Sequence, residues 1–406
     1  MRSIDKKLQA EHPNEPWKWR EDWAAGHIPS GTNRSAIGAW VIALFWNSIS
    51  TPGLMFIASV WKQNRAAAAV FLIFPLIGIS LLYRAIRLTI AGRKFGPSDL
   101  VMAGTPGVIG GKLRGSIQAG FDPISQRSVT LKLTCIHRTD SGSGDDRSVN
   151  ERILWQEEQT LETGLIQAGP TGCLIPVMFQ IPSDAAETNV RNLDNSIQWK
   201  LRAHADMAGV DYDAEFDVPV FRTKDSVAGS DPPQPADPPK RPTILVQPTN
   251  AGGLEFVFPA ARNPGMAAGM TVIFLIFSAA LYFLVVYSRS IYIGFLFGVA
   301  CAVLLFVVIM FWFLRQRVTI ENGCVTIRSS VLGIARTQQI PCAGISDFKL
   351  NIGVQSGGGS GTPYYYIQLI CRDGRKRTTG RQIRNKREAV WVMNQMKRAI
   401  GTFSTP

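Results

Sequence analysis

The sequence predicts a membrane protein in which four helical spans, arranged as two hairpins, carry an all-β sandwich and a small α+β barrel. Two observations support this prediction: the apolar residues are concentrated in paired long runs, and the intervening stretches alternate apolar and polar residues. The clearest run is Met266–Leu314, which contains one charged residue, Arg289. About 20 apolar residues span a bilayer core, so this run predicts two spans joined by a very short tip.

A second pair of spans is predicted upstream, in Ile37–Val60 and Ala66–Tyr83. Pro52 lies within the first of them, where a proline frees a carbonyl that Ser or Thr side chains can satisfy. An even number of spans leaves the rest of the chain on one membrane face. Lys and Arg flank the spans on that face more often than they occur in the opposite loops, which predicts a cytoplasmic location for the leader, the middle region and the tail. The opposite loops contain Lys62, Arg65 and Arg289.

Shifts in composition divide the chain into six segments. We predict a polar leader (1–35), a first transmembrane hairpin (36–90), a β-sandwich (91–227), a Pro-rich linker with terminal strands (228–265), a second hairpin (266–314) and a basic domain (315–406). The leader contains Trp17, Trp19 and Trp23 among charged residues, a pattern that suits a membrane interface and equally a partly ordered leader. The terminal strands are expected within Ile244–Phe258, so that membrane helices hold the sandwich at both ends.

Strict alternation predicts the strands of the sandwich. Ser128–Cys135 places Val, Leu and Cys on one face and polar residues on the other, and Ser196–His204 repeats this pattern. Tyr212–Val220 and Val177–Ile181 predict two further strands, whereas Thr139–Asn150 reads as a polar loop. Period-two patterning between Gly, Pro, Asp and Asn clusters is typical of β-sandwiches.

The C-terminal stretch predicts a second β unit that ends in a helix. Asn322-Gly323, between short apolar runs, is the sequence of a two-residue β-hairpin turn. Further strands are expected over Leu332–Ile340, Phe348–Val354 and Tyr364–Cys371. An amphipathic helix is expected over Arg384–Gly401, because its apolar residues fall on one helical face.

Three resemblances add to this outline. The tail, with VTIENGCVTIRSSVLGIARTQQIP and the terminal helix, resembles bacterial pleckstrin-homology-like domains. The middle region, with PGVIGGKLRGSIQ, IPVMFQIPSD and SIQWKLRAHADMAGVDYDAEFDVPVF, is similar to arrestin-like β-sandwiches. The whole arrangement, including PWKWREDWAAG and FPLIG, resembles a group of uncharacterised bacterial membrane proteins that carry a domain of unknown function. These resemblances imply an architecture and a bacterial inner membrane, but no catalytic residues.

The net charge of +13 is concentrated in the tail, where residues 315–406 hold 15 Lys/Arg and 4 Asp/Glu. A basic run starts at a predicted turn and continues into the helix N-terminus, where positive charge is unfavourable unless an anion lies nearby. Anionic lipid headgroups attract such juxtamembrane clusters. A solvated face and an acidic protein partner remain alternatives, whereas the lack of interleaved aromatics argues against nucleic acid. The candidate lipid-binding residues are Arg372, Arg375, Lys376, Arg377, Arg381, Arg384, Lys386 and Arg387.

Small residues recur at four-residue spacing in the last span, at Gly294, Gly298 and Ala302. This spacing predicts close packing against another helix, either in the same chain or in a second copy. Oligomerisation through this face would allow a small channel. A transporter is less consistent with the sequence, because the spans contain only neutral polar side chains and intramembrane ionisable groups mark most transport pathways.

The residue patterns favour no enzyme and no cofactor. Gly104–Gly115 departs from a phosphate-binding loop at Pro106 and Leu113. None of the four histidines lies in a metal-ligand motif, and the six cysteines form no CxxC pair. An acidic group is expected to form a solvated sheet face or to dock a basic partner, including the chain's own tail, rather than to bind calcium. It comprises Asp206, Asp211, Asp213, Glu215 and Asp217.

The sequence therefore predicts a non-enzymatic scaffold or interaction protein of the inner membrane, with a lipid-facing basic tail. The predicted partners are anionic lipid headgroups and a protein of unknown identity, which includes a second copy of the chain. The alternatives are a membrane-embedded enzyme, an accessory subunit of an envelope complex, and a small oligomeric channel or transporter.

Overall fold

The structure, a computed structural model, describes residues 5–55, 57, 61–62, 72–123, 128–141, 148–169, 172–189, 191–192, 194–227, 242–288, 291–356 and 361–404. The chain divides into two compact units, one formed mainly by Met1–Pro232 and the other by Pro233–Gly357 and Gly361–Pro406. Three predicted features lie outside the described residues: most of the Pro-rich linker (228–241), much of the first interhelical loop (63–71) and the second hairpin's tip at Arg289.

The first unit opens with short elements that pack into its core. They are α1 (Lys6–Glu11), a 3₁₀ turn (Pro16–Lys18), α2 (Glu21–Ala24) and β1 (His27–Pro29). Trp19 and Trp23 are each 2% exposed. The Trp23 indole donates to the Asp217 carbonyl at 2.9 Å, and the Arg20 guanidinium lies 4.1 Å from the Trp23 ring centroid. These two tryptophans are therefore core residues of the first unit. Neither prediction for this segment, a membrane interface or a partly ordered leader, describes them.

Two antiparallel sheets make up most of the first unit. The first has the order β1-β2-β4-β8-β7 and the second the order β10-β9-β5-β6, while β3 pairs in parallel with β11. One hydrophobic core takes buried side chains from both sheets, as in a β-sandwich. The strands are β2 (Asp99–Met102), β3 (Gly107–Val108), β4 (Lys112–Ala119), β5 (Ser128–Ser141), β6 (Ser148–Glu162), β7 (Gln167–Gly169), β8 (Gly172–Gln180), β9 (Asn195–Ala205), β10 (Tyr212–Val218) and β11 (Val220–Phe221).

The predicted alternation is confirmed by burial. Val129, Leu131 and Leu133 of β5 are each fully buried, and every second residue of β10 from Tyr212 to Val218 is buried. Both ends of the expected polar loop at Thr139–Asn150 are strand, since they pair with each other as the last residues of β5 and the first of β6. The middle of this predicted loop, 142–147, lies outside the described residues. Cross-strand pairing therefore extends the strands beyond the apolar pattern.

The first helical hairpin consists of α3 (Thr32–Leu54) and α4 (Ile73–Phe95). Both are long and apolar enough to cross a membrane. Helix α4 continues well beyond its predicted end at Tyr83, because its last turns pack on the sandwich: Ala91 and Phe95 are 8% and 5% exposed and belong to the sandwich core. The hairpin leaves the sheet after β1 and returns at β2, and these two strands pair with each other.

Polar side chains join the two helices of this hairpin. The Asn47 amide donates to the Gly78 carbonyl at 3.1 Å, and the Trp46 indole donates to the Phe74 carbonyl at 2.9 Å. In the half nearer the sandwich, the Trp40 indole donates to the Thr89 hydroxyl at 2.9 Å. Pro52 lies within α3, as predicted. The nearby Ser48 hydroxyl, however, donates to the Phe45 carbonyl at 2.7 Å and not to the carbonyl that Pro52 frees.

The second unit contains two antiparallel sheets and a C-terminal helix, α7 (Lys386–Ser404). The five-stranded sheet has the order β12-β13-β14-β15-β16 and the three-stranded sheet the order β17-β18-β19. They share one core with α7, which buries Ala389, Val392 and Met396 on its predicted apolar face. The strands are β12 (Leu245–Pro248), β13 (Leu254–Phe258), β14 (Arg315–Glu321), β15 (Cys324–Val331), β16 (Ile334–Pro341), β17 (Ile345–Ser356), β18 (Thr362–Cys371) and β19 (Lys376–Ile383).

The strands expected to end the sandwich belong instead to the second unit. Strand β13 pairs with β14 across the second hairpin, with Phe258 opposite Gln316. Phe256 and Phe258 are 0% and 2% exposed in the core that this unit builds. The local pattern predicted these strands, but their partner lies beyond two membrane helices, a distance at which no local sequence signal operates.

The second hairpin, α5 (Pro264–Ser288) and α6 (Ile291–Phe313), supplies the other two helices that are long and apolar enough to cross a membrane. The Trp312 indole donates to the Thr271 hydroxyl at 3.0 Å, and the rings of Phe277 and Phe297 stack at 6.1 Å. The buried core of the second unit contains none of the described residues of α5 or α6. This hairpin therefore adds no described side chain to that core, although α6 contacts β15 of the sheet.

Two similar turns close the ends of β15. Asn322 and Gly323 have φ of 50° and 70°, and Leu332 and Gly333 have φ of 49° and 88°. Positive φ at both central residues is the geometry of a type I′ hairpin turn. The Asn-Gly turn was predicted, whereas Leu332 was expected to start a strand. The strand begins at Ile334, because the Leu-Gly pair makes the turn.

Candidate functional site

The eight basic residues proposed for lipid binding lie along the turn after β18, strand β19 and the start of α7. All are exposed except Lys386, which is half-buried. They do not form one compact patch. The eight residues of β19 extend over about 23 Å at roughly 3.3 Å per residue, so the run connects two opposite ends of the domain.

One end of the run lies far from the second hairpin. The Arg372 amide donates to the Gly344 carbonyl at 2.8 Å, and the Cys342 amide donates to the Gly323 carbonyl at 2.8 Å. Gly323 forms the turn at which β14 ends, at the opposite end of that strand from α6. Arg372, with Arg375 beside it, therefore lies at the hairpin-distal end.

The other end of the run lies beside the second hairpin. In the connection between β13 and α5, the Arg262 guanidinium donates to the Arg381 carbonyl and the Asn263 amide donates to the Gln382 carbonyl at 2.9 Å. Burial lowers the pKa of Arg262 to about 10, against the opposing effect of the Glu388 carboxylate. Arg381 and the following Arg384 are therefore held next to the start of α5.

The N-terminus of α7 has its own anion. The carboxylate of Glu388, 2% exposed, accepts from the Thr243 hydroxyl and the Ile244 amide, each at 2.9 Å. The Asn385 side chain caps the helix by accepting from the Arg387 amide at 2.9 Å. A buried glutamate in the first turn offsets the unfavourable charge of Lys386 and Arg387. The helix start therefore needs no external anion, which removes one of the arguments for lipid there.

A second cationic surface lies on the outer face of the five-stranded sheet. Arg315, Arg317 and Arg328 are all exposed, and Arg317 lies directly opposite Arg328 on the neighbouring strand. Like charges directly opposite in a sheet repel each other. Arg315 follows α6 almost immediately, so these cations lie at the hairpin-proximal end. The sequence gives no local signal for this group, because only strand pairing brings Arg328 beside Arg317.

The acidic residues of β10 are paired within the first unit. Lys200 binds Glu215 at 2.8 Å, Arg202 forms a bidentate pair with Asp213, and Arg20 approaches Asp217 at 3.8 Å. These pairs form a cross-strand ladder rather than an open acidic face, so little free charge remains on β10 to attract a basic partner.

The loop between β9 and β10 binds the first hairpin. Arg87 of α4 donates to the Gly209 carbonyl at 3.0 Å and approaches Asp211 at 3.4 Å, while Lys94 donates to the Ala208 carbonyl at 2.9 Å. This loop therefore holds the base of α4, a role that neither the calcium nor the docking interpretation anticipates. Across the described residues, no group of three or more His, Cys, Asp or Glu side chains could hold a metal ion.

The three small residues of α6 do not share one environment. A Cβ atom at Gly294 would lie 3.3 Å from Val285 of α5, whereas one at Gly298 would meet no heavy atom within 4 Å and Ala302 is exposed. Successive steps of four residues turn by about 40° around a helix of 3.6 residues per turn. Gly294 therefore packs within the hairpin, and the other two turn away from α5.

The remaining candidates are accounted for by local contacts. His137 bonds the Asn195 side chain at 2.6 Å and His204 bonds Asp206 at 3.2 Å. The six cysteines are free, and burial raises the pKa of Cys135 to about 12. Within Gly104–Gly115, residues of β3 and β4 pair in sheets, so this stretch is part of the sandwich.

No protein-family model matches this chain, and no curated protein matches it. Among solved structures, the sporulation control protein Spo0M from Bacillus subtilis is similar over 61% of this chain and 90% of its own chain, with 9% sequence identity and a TM-score of 0.22.

Proposed function

We propose that this protein is a non-enzymatic integral membrane scaffold that holds two β domains at the membrane surface. The observation that carries the proposal is the insertion of each helical hairpin between two adjacent antiparallel strands: β1 and β2 in the first unit, β13 and β14 in the second. Paired strands are about 5 Å apart, so each hairpin leaves and re-enters its domain at nearly one point. Each domain is thereby fixed to the membrane by its own anchor.

The proposal places both domains on the cytoplasmic face of a bacterial inner membrane. The base of the first hairpin carries Arg84, Arg87, Arg93 and Lys94, and the second hairpin is followed by Arg315 and Arg317. Excess Lys and Arg beside membrane helices favours the cytoplasmic side. A polar, Pro-rich sequence joins the domains and offers no apolar run to cross the membrane between them.

The second unit is proposed to act as a pleckstrin-homology-like module that lies against anionic lipid. The support comes from the exposed arginines at its hairpin-proximal end, which are close enough to the membrane to meet headgroups. Each such cation gains about 1 kcal/mol from an anionic leaflet within a Debye length. The distal cations near Arg372 lie about 20 Å or more from that end along the strand direction, so they are expected to contribute little.

Vesicle binding by the C-terminal domain tests the lipid proposal. Residues 242–404 with the second hairpin replaced by Asn-Gly supply the domain, and sedimentation with phosphatidylcholine vesicles, with and without phosphatidylglycerol, measures binding. We expect R317Q/R328Q/R381Q to weaken binding to the anionic vesicles strongly. The matched variant R372Q/R375Q/K376Q removes three charges at the distal end and is expected to bind nearly as the parent. Equal losses, or no loss, would contradict the proposal.

The first unit is proposed to be an arrestin-like sandwich that offers a sheet edge to a protein partner. Strand β6 is an outer strand of its sheet, is 15 residues long and carries Leu154, which is 40% exposed. The other outer strand, β10, contacts both helices of the first hairpin. An edge strand can extend its sheet by pairing with an incoming chain.

Site-specific photo-crosslinking in native membranes tests this interaction. A benzophenone amino acid at Leu154 should give a defined protein adduct, because that position lies on an outer strand of its sheet. The control position is Gln118, which is exposed but lies on β4 between its partners Asp99 of β2 and Leu174 of β8. No adduct at Leu154, or the same adduct at both positions, would refute the proposed edge.

A further inference from the structure

The turn between β15 and β16 carries the two most exposed large apolar side chains among the described strands and turns of the second unit. Leu332 is 60% exposed and Ile334 is 82% exposed. Folding of the domain does not require their burial, since neither belongs to the core. Adjacent exposed apolar side chains at the tip of a hairpin indicate contact with something apolar outside the domain.

Strand register fixes where this tip lies. Helix α6 ends at Phe313, and Arg315, at the start of β14, pairs with Ser330 of β15. Ser330 in turn precedes the tip by two residues. With strands about 4.8 Å apart and a rise of about 3.3 Å per residue, Leu332 lies within about 10 Å of the end of α6. Helix α6 also contacts β15 directly.

From its length and composition, α6 is expected to end at the edge of the hydrocarbon layer. Gly294–Phe313 is an apolar span of 20 residues, and at 1.5 Å per residue it covers about the 30 Å of a bilayer core. The interfacial layer outside that core is roughly 5 to 7 Å thick on each side. Since β14 leads away from α6 and β15 returns, the Leu332 tip points back into this layer.

The opposite end of β15 provides an internal comparison. Its turn, Asn322-Gly323, has nearly the same φ angles as Leu332-Gly333. Asn is among the residues favoured at the first position of such a turn, whereas a bulky Leu with positive φ is a strained outlier. The unfavourable residue occurs only at the hairpin-proximal end. Its side chain, rather than its backbone preference, therefore explains its presence there.

Three exposed arginines lie within a few residues of this tip. Arg315 pairs with Ser330, two residues before Leu332, while Arg328 lies two residues farther along β15 and Arg336 lies on β16 opposite Ser329. Apolar side chains flanked by arginines match the interface of an anionic bilayer, in which the apolar groups enter among the acyl chains and the cations meet the headgroups.

We propose that Leu332 and Ile334 insert into the lipid interface of the same bilayer that the second hairpin spans. Together with the second hairpin and the hairpin-proximal arginines, they form a third attachment point, which sets the tilt of the C-terminal domain relative to the membrane. This inference rests on the proposed function, since it requires the domain to lie against lipid, and it adds an apolar contact that the charges alone do not supply.

An environment-sensitive fluorophore at the tip tests the insertion in the full-length protein. The half-buried Cys324 and Cys371 are replaced by serine, and a nitrobenzoxadiazole label is attached at L332C or, as the matched control, at N322C. In vesicles of phosphatidylcholine and phosphatidylglycerol, we expect blue-shifted emission and quenching by spin-labelled lipid at position 332. The label at position 322 should emit as in water and resist quenching. Equal, water-like emission at both positions would overturn the proposal.

The L332N variant separates membrane insertion from folding. Because Asn suits this turn, we expect L332N to leave the thermal midpoint of the full-length protein in detergent unchanged or raised. In the full-length protein, L332N should reduce lipid quenching of a label at I334C. A lowered midpoint would show that Leu332 serves folding and would count against the proposal. R317Q/R328Q/R381Q could lose vesicle binding while a label at position 332 emits as in water. That combination would support a lipid-facing domain and refute only the insertion of Leu332 and Ile334.

Discussion

The two halves of the molecule share one design but differ in how the membrane hairpin joins the β domain. In both, a helical hairpin replaces the turn between adjacent antiparallel strands, and a tryptophan indole bonds a threonine hydroxyl in the half of the hairpin nearer the domain. In the first unit, α4 buries Phe95 within the sandwich core, whereas the core of the second unit uses none of the described residues of its hairpin. The first hairpin is thus part of its domain's core, and the second is an insertion into a core that is complete without it.

The largest expected effect comes from replacing each hairpin by Asn-Gly. In residues 242–404, Asn-Gly in place of 259–315 keeps Phe258 opposite Gln316 and every core side chain, so we expect a soluble domain that unfolds cooperatively. In residues 5–227, the same replacement of 30–98 removes Ala91 and Phe95, and we expect no folded domain. Gel filtration and thermal circular dichroism measure both. Equal stability of the two fragments would contradict the comparison.

Phe95→Ala in the full-length protein tests the same difference with one side chain. Phe95 is 5% exposed and makes edge contacts with the rings of Tyr212 (5.5 Å) and Phe121 (6.1 Å). Truncating a buried Phe costs about 3–5 kcal/mol, so we expect a loss of this size in the unfolding free energy of the first unit. Phe313→Ala, at the corresponding end of α6 and 49% exposed, serves as the control and should cost far less. Denaturant titration in detergent measures both variants.

Alkaline pH should lower the unfolding free energy of the first unit more than that of the second. Burial raises the pKa of Cys173 from 9.0 to about 11 and that of Cys135 from 9.0 to about 12. A raised pKa means that the folded state holds its proton more tightly, so this contribution to stability is complete below about pH 9 and is lost as the pH rises toward 11. The slope of unfolding free energy against pH over that window should decrease in Cys173→Val. An unchanged slope would rule out this thiol as a contributor.

The smallest expected effect concerns the shared tryptophan–threonine bonds. Trp40→Phe and Trp312→Phe each remove one hydrogen bond within a hairpin, and such bonds contribute about 0.6 kcal/mol on average in membrane proteins. We expect similar small losses in both hairpins, measured by unfolding in mixed detergent micelles. Trp61→Phe changes an exposed tryptophan and provides the baseline. A loss in only one hairpin would show that the two bonds are not equivalent.

Much of the local structure could be predicted from the sequence. Alternation at Val129, Leu131 and Leu133 identified β5, Asn322-Gly323 identified a turn, and the face of Val392 and Met396 identified α7. Each of these signals depends on neighbours within a few residues. The sequence did not reveal that Trp19 and Trp23 are core residues, because tryptophans among charges look the same whether they meet lipid or a sheet packed from elsewhere in the chain.

The candidate site was predicted only in part. The basic residues from Arg372 to Arg387 were identified by their density, but a run along a strand spreads over the length of that strand, and its two ends have different surroundings. Arg328 and Leu332 gained significance only from the register that places them beside the end of α6. Their local sequence gives no sign of the neighbouring apolar helix.

The sequence by itself determined the four apolar spans, the alternating strands and the basic tail, since each is a pattern of residues close together along the chain. Only the tertiary structure decided that β13 pairs with β14, that α4 belongs to the sandwich core and that one turn of β15 faces the hairpin. Hydrogen bonding between strands that two membrane helices separate depends on which surfaces the folded chain brings together. No local periodicity encodes that choice.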